Sequence, residues 1–484
     1  MMSLSALPDD ILLEITKWVA TDDYIPRYET VHYPYIPFSA RRRTKFLGSL
    51  ALCSRRLNQI ASPILYKTFV QTRERALPAF LRLLCSRPER GAYVTKFVVS
   101  AYNAAEERFY RRDILDFPRL DLVTFGVELE LLDYFQLKRP GWITNLEDGD
   151  WKAVVALLLL LLPALKEVDI VPYNRTSNLG YIDTALEYAA LQQRSSRAQH
   201  SLKNLTNVSM AYWDTGIGTG MGKSFDALLP FCALSSVRKA QIHRCSENFF
   251  FPPSKRYPNI QDLQISNSNF GSEAISNILQ CFPSLKNLYY EHGGVSFGCP
   301  NLLPEYLGEA SSHLHETLEE LTVLGENSFG WAEKRAIGSL TRFKKLKKIV
   351  TNYDILLKPD PERDGEQPKL INILPSSLEI LAIGQCTLDI LLQVRDLLDQ
   401  KPSSTLSFPK PNKIVIGLVS PDYSADPAKQ LSAEQLQAMK EEGKELIADA
   451  KAMEVDICFF HPNFRMGGND LDHDKYPFWR QRTS

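Results

Sequence analysis

A short apolar pattern recurs along most of the chain: an apolar residue, two variable residues, a second apolar residue, one variable residue and a third apolar residue. The last two apolar positions of each triplet alternate with other residues, which is typical of a strand with one buried face. The stretches before them, such as 157–162 and 274–282, have the apolar content of a helix or buried segment. The pattern therefore predicts a repeated unit of helix, turn and strand. It occurs at Val94/Phe97/Val99, Leu165/Val168/Ile170, Leu205/Val208/Met210, Val237/Ala240/Ile242, Ile260/Leu263/Ile265, Leu285/Leu288/Tyr290, Leu318/Leu321/Val323, Leu346/Ile349/Thr351 and Leu378/Leu381/Ile383, and more loosely at Ile414/Ile416 and Val455/Ile457.

The spacing of these triplets fits one strand and one helix per unit. From Leu165 to Leu378 the starts are 40, 32, 23, 25, 33, 28 and 32 residues apart, so insertions account for the longer steps. Stacked units of this kind form a parallel sheet on an inner face, with helices outside. We therefore predict an α/β solenoid over 76–460, a leucine-rich-repeat-like array with a parallel inner sheet. The Asn that commonly turns the chain after such strands is mostly absent.

The end of the chain predicts a closing element and a tail. A helix is expected over 432–450, where Gln435 completes a capping box with the first residue. The strand at 455–460 would then close the sheet. The tail 461–484 mixes aromatic and charged residues and is predicted to be a lid on the last unit or a flexible end.

The first 75 residues differ from the repeats and predict a small all-α module with a long internal loop at 20–45. Residues 7–10 (Leu-Pro-Asp-Asp) favour a helix start, because Pro suits the first turn and acids suit the positive end of the helix dipole. A second helix is expected over 46–60, ending before Pro63, and a third element starts at 61. A unit this small buries its apolar surface poorly, so it needs a partner or the rest of the chain.

Three segments of this module, 7–15 (LPDDILLEI), 50–58 (LALCSRRLN) and 61–66 (ASPILY), resemble the F-box of fungal F-box proteins with degenerate leucine-rich repeats. The resemblance implies docking on a Skp-type adaptor, which links the protein to a cullin-based SCF ubiquitin ligase. The chain departs from the family in Leu57, where Trp or Phe is frequent, and in the length of the loop. The docking positions that the resemblance implies are Leu7, Pro8, Ile11, Leu12, Ile15, Leu50, Leu52 and Leu57.

Charge and composition argue against several classes of partner. The formal net charge is −1, so the positive field that attracts nucleic acid is missing. The longest apolar run, 153–162, stops at Pro163 and is shorter than the roughly 20 residues that span a bilayer. The eight cysteines are scattered without a CxxC pair and are expected to be reduced core residues. We expect an intracellular protein, cytoplasmic or nuclear, with neither nucleic acid nor membrane as a partner.

Three enzyme-like motifs are incomplete. Residues 216–224 end in Gly-Lys-Ser, as a phosphate loop does, but Ile217 stands where its first Gly should be. Residues 315–319 begin like a zinc-protease helix, but Glu replaces the second His. Asp470, Asp472 and Asp474 alternate as in a calcium loop that lacks its Gly and Glu. We therefore expect no metal, no cofactor and no catalytic residue.

Exposed positions around the predicted strands are candidates for holding a target protein. Their mixed charge favours no single class of ligand, although the lysines at 344–348 are expected to meet an acidic partner. The basic run 41–45 is interpreted as a solvated loop or a nuclear address. The candidate target-binding residues are Lys166, Asp169, Asn207, Gln264, Asn287, Tyr289, Glu320 and Lys347.

Three functional hypotheses follow. The leading one is a substrate receptor of an SCF-type ubiquitin ligase, which is not itself an enzyme and contributes proximity and orientation. The second is a non-ligase scaffold, in which the N-terminal helices only cap the end of the array. The third is a nucleotide-binding protein that uses residues 216–224.

Overall fold

The structure of the chain is a computed structural model. It describes residues 7–20, 38–71, 76–101, 129–172, 179–195, 201–212, 225–247, 255–293, 304–325, 335–359, 367–399, 411–418, 433–461 and 464–466. The described residues form two compact units, one up to residue 245 and one from residue 246 onward. The divisions predicted after residues 75 and 460 remain predictions.

Three helices begin the first unit: α1 (Asp9–Ala20), α2 (Phe38–Cys53) and α3 (Arg55–Lys67). Arg56 connects α3 to the start of α1, because its guanidinium lies 2.6 Å from the Asp9 carboxylate and donates to the Leu7 carbonyl oxygen at 2.8 Å. The side chains buried in the described residues of these three helices are Leu12, Thr16, Ala20, Leu47, Ala51, Leu57, Ala61 and Ser62.

The break between the second and third helices lies earlier than predicted. Ser54 is the N-cap of α3, and its hydroxyl accepts the Leu57 N–H at 3.1 Å, which satisfies one of the free donors of the first turn. Pro63 lies inside α3 and does not end the helix. The predicted boundary at Pro63 is therefore wrong, because the cap at Ser54 sets the start of this helix.

The first unit contains five parallel strands that pair in chain order, with Lys96, Glu167, Asn207 and Lys239 directly opposite one another. The strands are β1 (Thr68–Val70), β2 (Lys96–Ser100), β3 (Glu167–Val171), β4 (Asn207–Ala211) and β5 (Lys239–His243). The helices between them are α4 (Ala76–Ser86), α5 (Leu129–Lys138), α6 (Trp142–Glu147), α7 (Trp151–Leu160), α8 (Tyr181–Arg194) and α9 (Leu229–Cys232), with 3₁₀ turns at Pro88–Tyr93 and Phe225–Leu228.

The second unit repeats this arrangement and ends with an antiparallel strand. Strands β7 to β13 pair in parallel and in chain order, β6 pairs with β7, and β14 pairs antiparallel with β13. The strands are β6 (Ser246–Glu247), β7 (Asp262–Phe270), β8 (Asn287–His292), β9 (Glu320–Gly325), β10 (Lys348–Asn352), β11 (Ile380–Cys386), β12 (Lys413–Leu418), β13 (Asp456–His461) and β14 (Phe464–Met466). The helices are α10 (Ser272–Gln280), α11 (Pro304–Ala310), α12 (Tyr353–Leu357), α13 (Leu370–Ile373), α14 (Ile390–Leu398) and α15 (Ala433–Ala452), with a 3₁₀ turn at Ser312–Leu314.

The prediction of an α/β chain with parallel strands is confirmed. The last two apolar residues of the triplets lie in the strands and are buried, as Val168 and Ile170 in β3 illustrate. The polar residues between them are partly exposed in most strands, so one face of the sheet is covered and the other is more open.

Buried polar side chains lie at the ends of several strands, near the position where a leucine-rich repeat commonly has the Asn that turns the chain. After β1, the Gln71 side-chain oxygen accepts the Ser100 N–H at 3.1 Å and the Trp151 indole N–H at 3.2 Å. At the end of β10, the Asn352 amide donates to the Gly325 carbonyl oxygen at 2.8 Å. The bonds to Ser100 and Gly325 connect the ends of neighbouring strands, and the bond from Trp151 connects the end of β1 to α7. Each bond satisfies buried polar groups.

In the parts of the chain that the structure describes, every helix is too short or too polar to cross a membrane. The apolar run at 153–162 forms most of α7, whose side chains are buried in the first unit. Asp150 caps this helix, because its carboxylate accepts the Ala153 N–H at 2.8 Å.

Candidate functional site

Large apolar side chains are exposed on the N-terminal helices. Ile11 and Ile15 lie one turn apart on α1, and Ile11 is 44% exposed. Trp18 continues the same side of the helix and is 78% exposed, since positions 11, 15 and 18 coincide at helical spacing. We call Ile11, Ile15 and Trp18 the α1 apolar face. It is distinct from the side of α1 that carries the buried Leu12.

The eight predicted adaptor-docking residues divide between the surface and the interior. Pro8, Ile11, Ile15 and Leu52 are exposed, Leu7 and Leu50 are partly buried, and Leu12 and Leu57 are buried. Leu12 and Leu57 therefore contribute to the packing of the helices and are not available at the surface. Leu52, at the end of α2, is 86% exposed.

Three exposed apolar residues of these helices were missed by the prediction: Leu13, Trp18 and Phe46. The helical spacing of Trp18 from Ile11 and Ile15 was the signal that could have found it. Leu13 and Phe46 gave no such signal, because both lie among apolar residues whose burial the spacing does not decide.

The partly exposed positions of β2 to β5 form a polar surface in the first unit. We define the polar sheet face as Lys96, Glu167, Asp169, Asn207, Ser209, Lys239 and Gln241, which occupy two adjacent rows of the parallel register. Lys96 lies at the β2 edge of this face, with its ammonium 3.3 Å from the Glu167 carboxylate and 3.1 Å from that of Asp169. Two of the candidate target-binding residues, Asp169 and Asn207, belong to this face.

The carboxylates of the polar sheet face change the pKa of the Lys96 ammonium by direct electrostatic contact. Burial acts to lower the pKa of Lys96, but the carboxylates of Asp169 and Glu167 outweigh it and raise the pKa above its ordinary value. Lys96 therefore stays protonated at neutral pH. A target that displaces this ammonium must replace both of its carboxylate contacts.

The other candidate target-binding residues lie at or beside the strands, as predicted from the spacing. Lys166 precedes β3 and is exposed. In the second unit, Gln264 is opposite Tyr289, and Asn287 is opposite Glu320. All four are partly or fully exposed, so they could contact a ligand on the open side of this sheet.

The lysines at 344–348 are largely paired within the chain. Lys344 lies 2.5 Å from Glu316, Lys347 lies 3.0 Å from Glu379, and Lys348 lies 3.2 Å from Glu320. A hydrogen bond from Lys347 to Glu379 raises the pKa of this lysine. These pairs weaken the prediction that the cluster binds an acidic partner, because three of its four ammonium groups already lie beside a carboxylate of the same chain.

The enzyme-like motifs contribute no site within the described residues. Residues 216–224 and 470–474 lie outside them. Glu319, which replaces the second His of the zinc-protease pattern, lies 3.7 Å from the Lys286 ammonium, and the His315 ring lies 3.3 Å from the Glu316 carboxylate. Among the residues that the structure describes, no group of three or more His, Cys, Asp or Glu side chains could hold a metal ion.

A cleft of about 670 Å³ lies in the second unit, at α10, α11 and the turn that follows. Arg256, Glu273, Glu309 and His313 place both signs of charge in its wall. Burial lowers the pKa of His313, and its Nδ1 lies 2.9 Å from the Ala310 carbonyl oxygen. The ring is therefore neutral at neutral pH, and the cleft favours no single class of ligand.

Comparison of the sequence with protein-family models and with curated proteins finds no match.

Proposed function

We propose that this chain is a protein-interaction subunit, the substrate receptor of an SCF-type ubiquitin ligase. In this proposal the N-terminal helices form the F-box and dock on a Skp-type adaptor, while the open sheet surface holds a target protein. The observation that carries the proposal is the α1 apolar face, exposed while its neighbour Leu12 is buried. It coincides with segment 7–15, which resembles the start of an F-box.

An exposed apolar helix face favours binding to a groove on another protein. Covering a large apolar side chain completely contributes about 1.5–3 kcal/mol, so Ile11, Ile15 and Trp18 together offer substantial binding energy. An amphipathic helix that lays such a face into a hydrophobic groove is a common mode of protein recognition. The proposed adaptor interface therefore needs no rearrangement of the buried residues.

The proposal treats the strands as a leucine-rich-repeat-like solenoid. Its support is that, within each unit, successive strands are parallel, pair in chain order and are mostly separated by helices or 3₁₀ turns. In such an array the sheet surface opposite the helices is available for a partner. The polar sheet face, with both signs of charge, is the proposed target surface of the first unit.

The adaptor interface can be tested by co-purification. We expect the full chain to recover a Skp-type adaptor and its cullin, and Ile11→Asp/Ile15→Asp to lose about 2 kcal/mol or more of binding energy, about thirtyfold in affinity. Both positions are exposed, so the variant should fold. Leu137→Asp is the matched control, because Leu137 is 79% exposed on α5, away from the F-box-like segments.

Two outcomes would contradict the proposal. Recovery of equal adaptor by the variant and the wild type would remove the α1 apolar face from the interface. Failure of the folded wild-type chain to bind any adaptor would favour a scaffold whose N-terminal helices serve only as a cap.

A further inference from the structure

The residues that directly precede the five strands of the first unit form a row across one edge of its sheet. The backbone N–H of each later member donates to the carbonyl oxygen of the member on the previous strand, at 2.8 or 2.9 Å. The row therefore shares the fixed register of the strands. We define the cation row as Lys67, Thr95, Lys166, Thr206 and Arg238.

Cations and threonines alternate along this row. Lys67, Lys166 and Arg238 are exposed. The Thr95 hydroxyl donates to the Lys67 carbonyl oxygen at 3.2 Å, and the Thr206 hydroxyl donates to the Lys166 carbonyl oxygen at 3.3 Å. The threonines thus bond to the backbone of the row itself, and its charged groups are three cations without an acid among them.

The three cations are not neutralised by the residues that the structure describes. Among these, Lys67 and Lys166 form neither an ion pair nor a side-chain hydrogen bond. The Arg238 guanidinium donates to the carbonyl oxygens of Ser235 at 2.6 Å and Val237 at 3.0 Å. Carbonyl oxygens carry no formal charge, so this side chain keeps its positive charge for another partner.

The corresponding row of the second unit has the opposite property. Its lysines and acids alternate, with the Lys286 ammonium 3.7 Å from the Glu319 carboxylate and the Lys347 ammonium 3.0 Å from that of Glu379. That row is therefore balanced internally, whereas the cation row is not. The second row consists of Gln261, Lys286, Glu319, Lys347, Glu379 and Asn412.

We propose that the cation row binds an acidic peptide segment of a partner protein, with a carboxylate at every third residue and a polyproline II backbone. The argument is charge complementarity together with spacing. Neighbouring strands lie about 4.8 Å apart, so cations on alternate strands are about 10 Å apart. In a polyproline II helix every third residue lies on the same side, about 9 Å further along. One carboxylate can therefore lie beside each cation.

Other peptide conformations fit this spacing less well. In a β-strand, residues on the same side are about 7 Å apart, so acids on one side lose register with the cations after the first contact. The polyproline II backbone is also preformed, which reduces the entropy lost on binding. The row therefore favours a proline-rich acidic segment.

Binding at this row should depend on salt and on several cations at once. The side chains are exposed, and the Debye length at physiological ionic strength is about 8 Å, so added salt weakens their attraction for carboxylates. A single exposed ion pair contributes little, so three contacts are needed together. The inference does not depend on the proposed function, because it concerns the first sheet and not the N-terminal helices.

Anisotropy of a fluorescent peptide, Glu-Pro-Pro-Glu-Pro-Pro-Glu, titrated with the full chain at about 50 mM salt, tests the proposal. We expect saturable binding that Lys67→Glu/Lys166→Glu weakens by about tenfold or more, because repulsion replaces attraction at two of three contacts. Lys255→Glu/Lys345→Glu is the matched control. It makes the same change in net charge at exposed positions of the second unit and should bind as the wild type does.

Two further probes test the kind of partner. A peptide of the same composition with its three Glu residues in succession, Pro-Pro-Glu-Glu-Glu-Pro-Pro, should bind at least about threefold more weakly, since its carboxylates point to three different sides. Equal binding of the two peptides would refute the spacing. Tighter binding of a single-stranded oligouridylate than of the first peptide would show a nucleic-acid surface and overturn the proposal.

The proposal also fails if the wild-type chain does not bind the first peptide, or if both charge-reversal variants lose the same affinity. Should Lys67→Glu/Lys166→Glu prove unfolded by circular dichroism, Lys67→Gln/Lys166→Gln decides, because it removes the charges without introducing repulsion. We expect this variant to bind about threefold or more weakly. Wild-type affinity in the glutamine variant would exclude the cation row as the binding surface.

Discussion

The side chain of Asp183 is in a buried environment that disfavours its charged form. It lies in the first turn of α8, where it accepts the Gly180 N–H at 3.1 Å. Burial raises its pKa to about 6, although backbone hydrogen bonds from Gly180 and Leu179 and the nearby cations oppose this shift. Between about pH 4 and pH 6 the folded state therefore holds this proton more tightly than the unfolded chain, so the contribution of Asp183 to stability falls as pH rises through that range.

Asp183→Asn should stabilise the protein at pH 7 by about 1–3 kcal/mol, because the amide avoids the cost of a buried charge and can still accept the Gly180 N–H. At pH 4.5 or below, where Asp183 is mostly protonated, the variant and the wild type should differ much less. Urea unfolding at both pH values measures the difference. A gain that is greater at the lower pH would contradict the assigned pKa.

Two helical glycines should respond oppositely to the same substitution. A Cβ added at Gly308 would lie 2.0 Å from the Ile337 carbonyl oxygen, whereas one added at Gly48 would meet nothing within 4 Å. We expect Gly308→Ala to destabilise the chain by about 1–3 kcal/mol or more, because backbone must move. Gly48→Ala should stabilise it by about 0.5–1 kcal/mol through helix propensity. Thermal unfolding gives both signs, and equal signs would disprove the argument.

Among the single residues, sequence spacing could not distinguish an inward from an outward apolar side chain on the first helix. Ile11, Leu12, Leu13 and Ile15 have similar hydrophobicity, yet only Leu12 is buried. Which side packs inward is decided by contacts with α2 and α3, and these are set by tertiary structure.

At the scale of elements, the start of α7 depends on one side chain. Asp150 accepts the Ala153 N–H at 2.8 Å, and an N-cap of this kind contributes about 1 kcal/mol. We expect Asp150→Ala to lower the free energy of unfolding by about that amount, while Asp150→Asn, which keeps an acceptor, should cost little. Denaturant titration compares the two, and an equal loss in both variants would show that the cap is unimportant.

The strands with clear alternation were predictable, and the short ones were not. The apolar triplets of the sequence predicted the positions of β2 to β5 and β7 to β13, because each of these strands buries apolar side chains on at least one face. Strands β1, β6 and β14 were not assigned from sequence, since two or three residues cannot establish an alternating pattern. The start of the helix that contains Pro63 was predicted wrongly. The rule that Pro ends a helix was outweighed here by the N-cap at Ser54.

For the whole molecule, the thiols give a test that covers both units. Cys53 is exposed, whereas Cys232, Cys245, Cys281, Cys386 and Cys458 are buried. We expect iodoacetamide to label Cys53 in the native chain and to reach the buried thiols only in denaturant. Cys85 should react slowly, because burial raises its pKa to about 11. Peptide mass spectrometry resolves each site, including Cys299, which lies outside the described residues.

A labelled Cys232 or Cys281 in the native chain would contradict the burial of the corresponding unit. Equal labelling of Cys53 and the buried thiols would contradict the assignment of these cysteines to the interior. The prediction that the cysteines are reduced core residues applies to the buried set and fails for Cys53, which lies exposed at the end of α2.

The pairing of strands in chain order has a consequence for protein synthesis. Within each unit, nearly every parallel strand bonds to the one made just before it, as β4 does to β3 and β3 to β2. A strand that leaves the ribosome can therefore pair with the preceding strand before the next strand is translated. Few strand edges stay unpaired until distant residues have been made. Such a chain is suited to folding as it emerges, from its first residues toward its last.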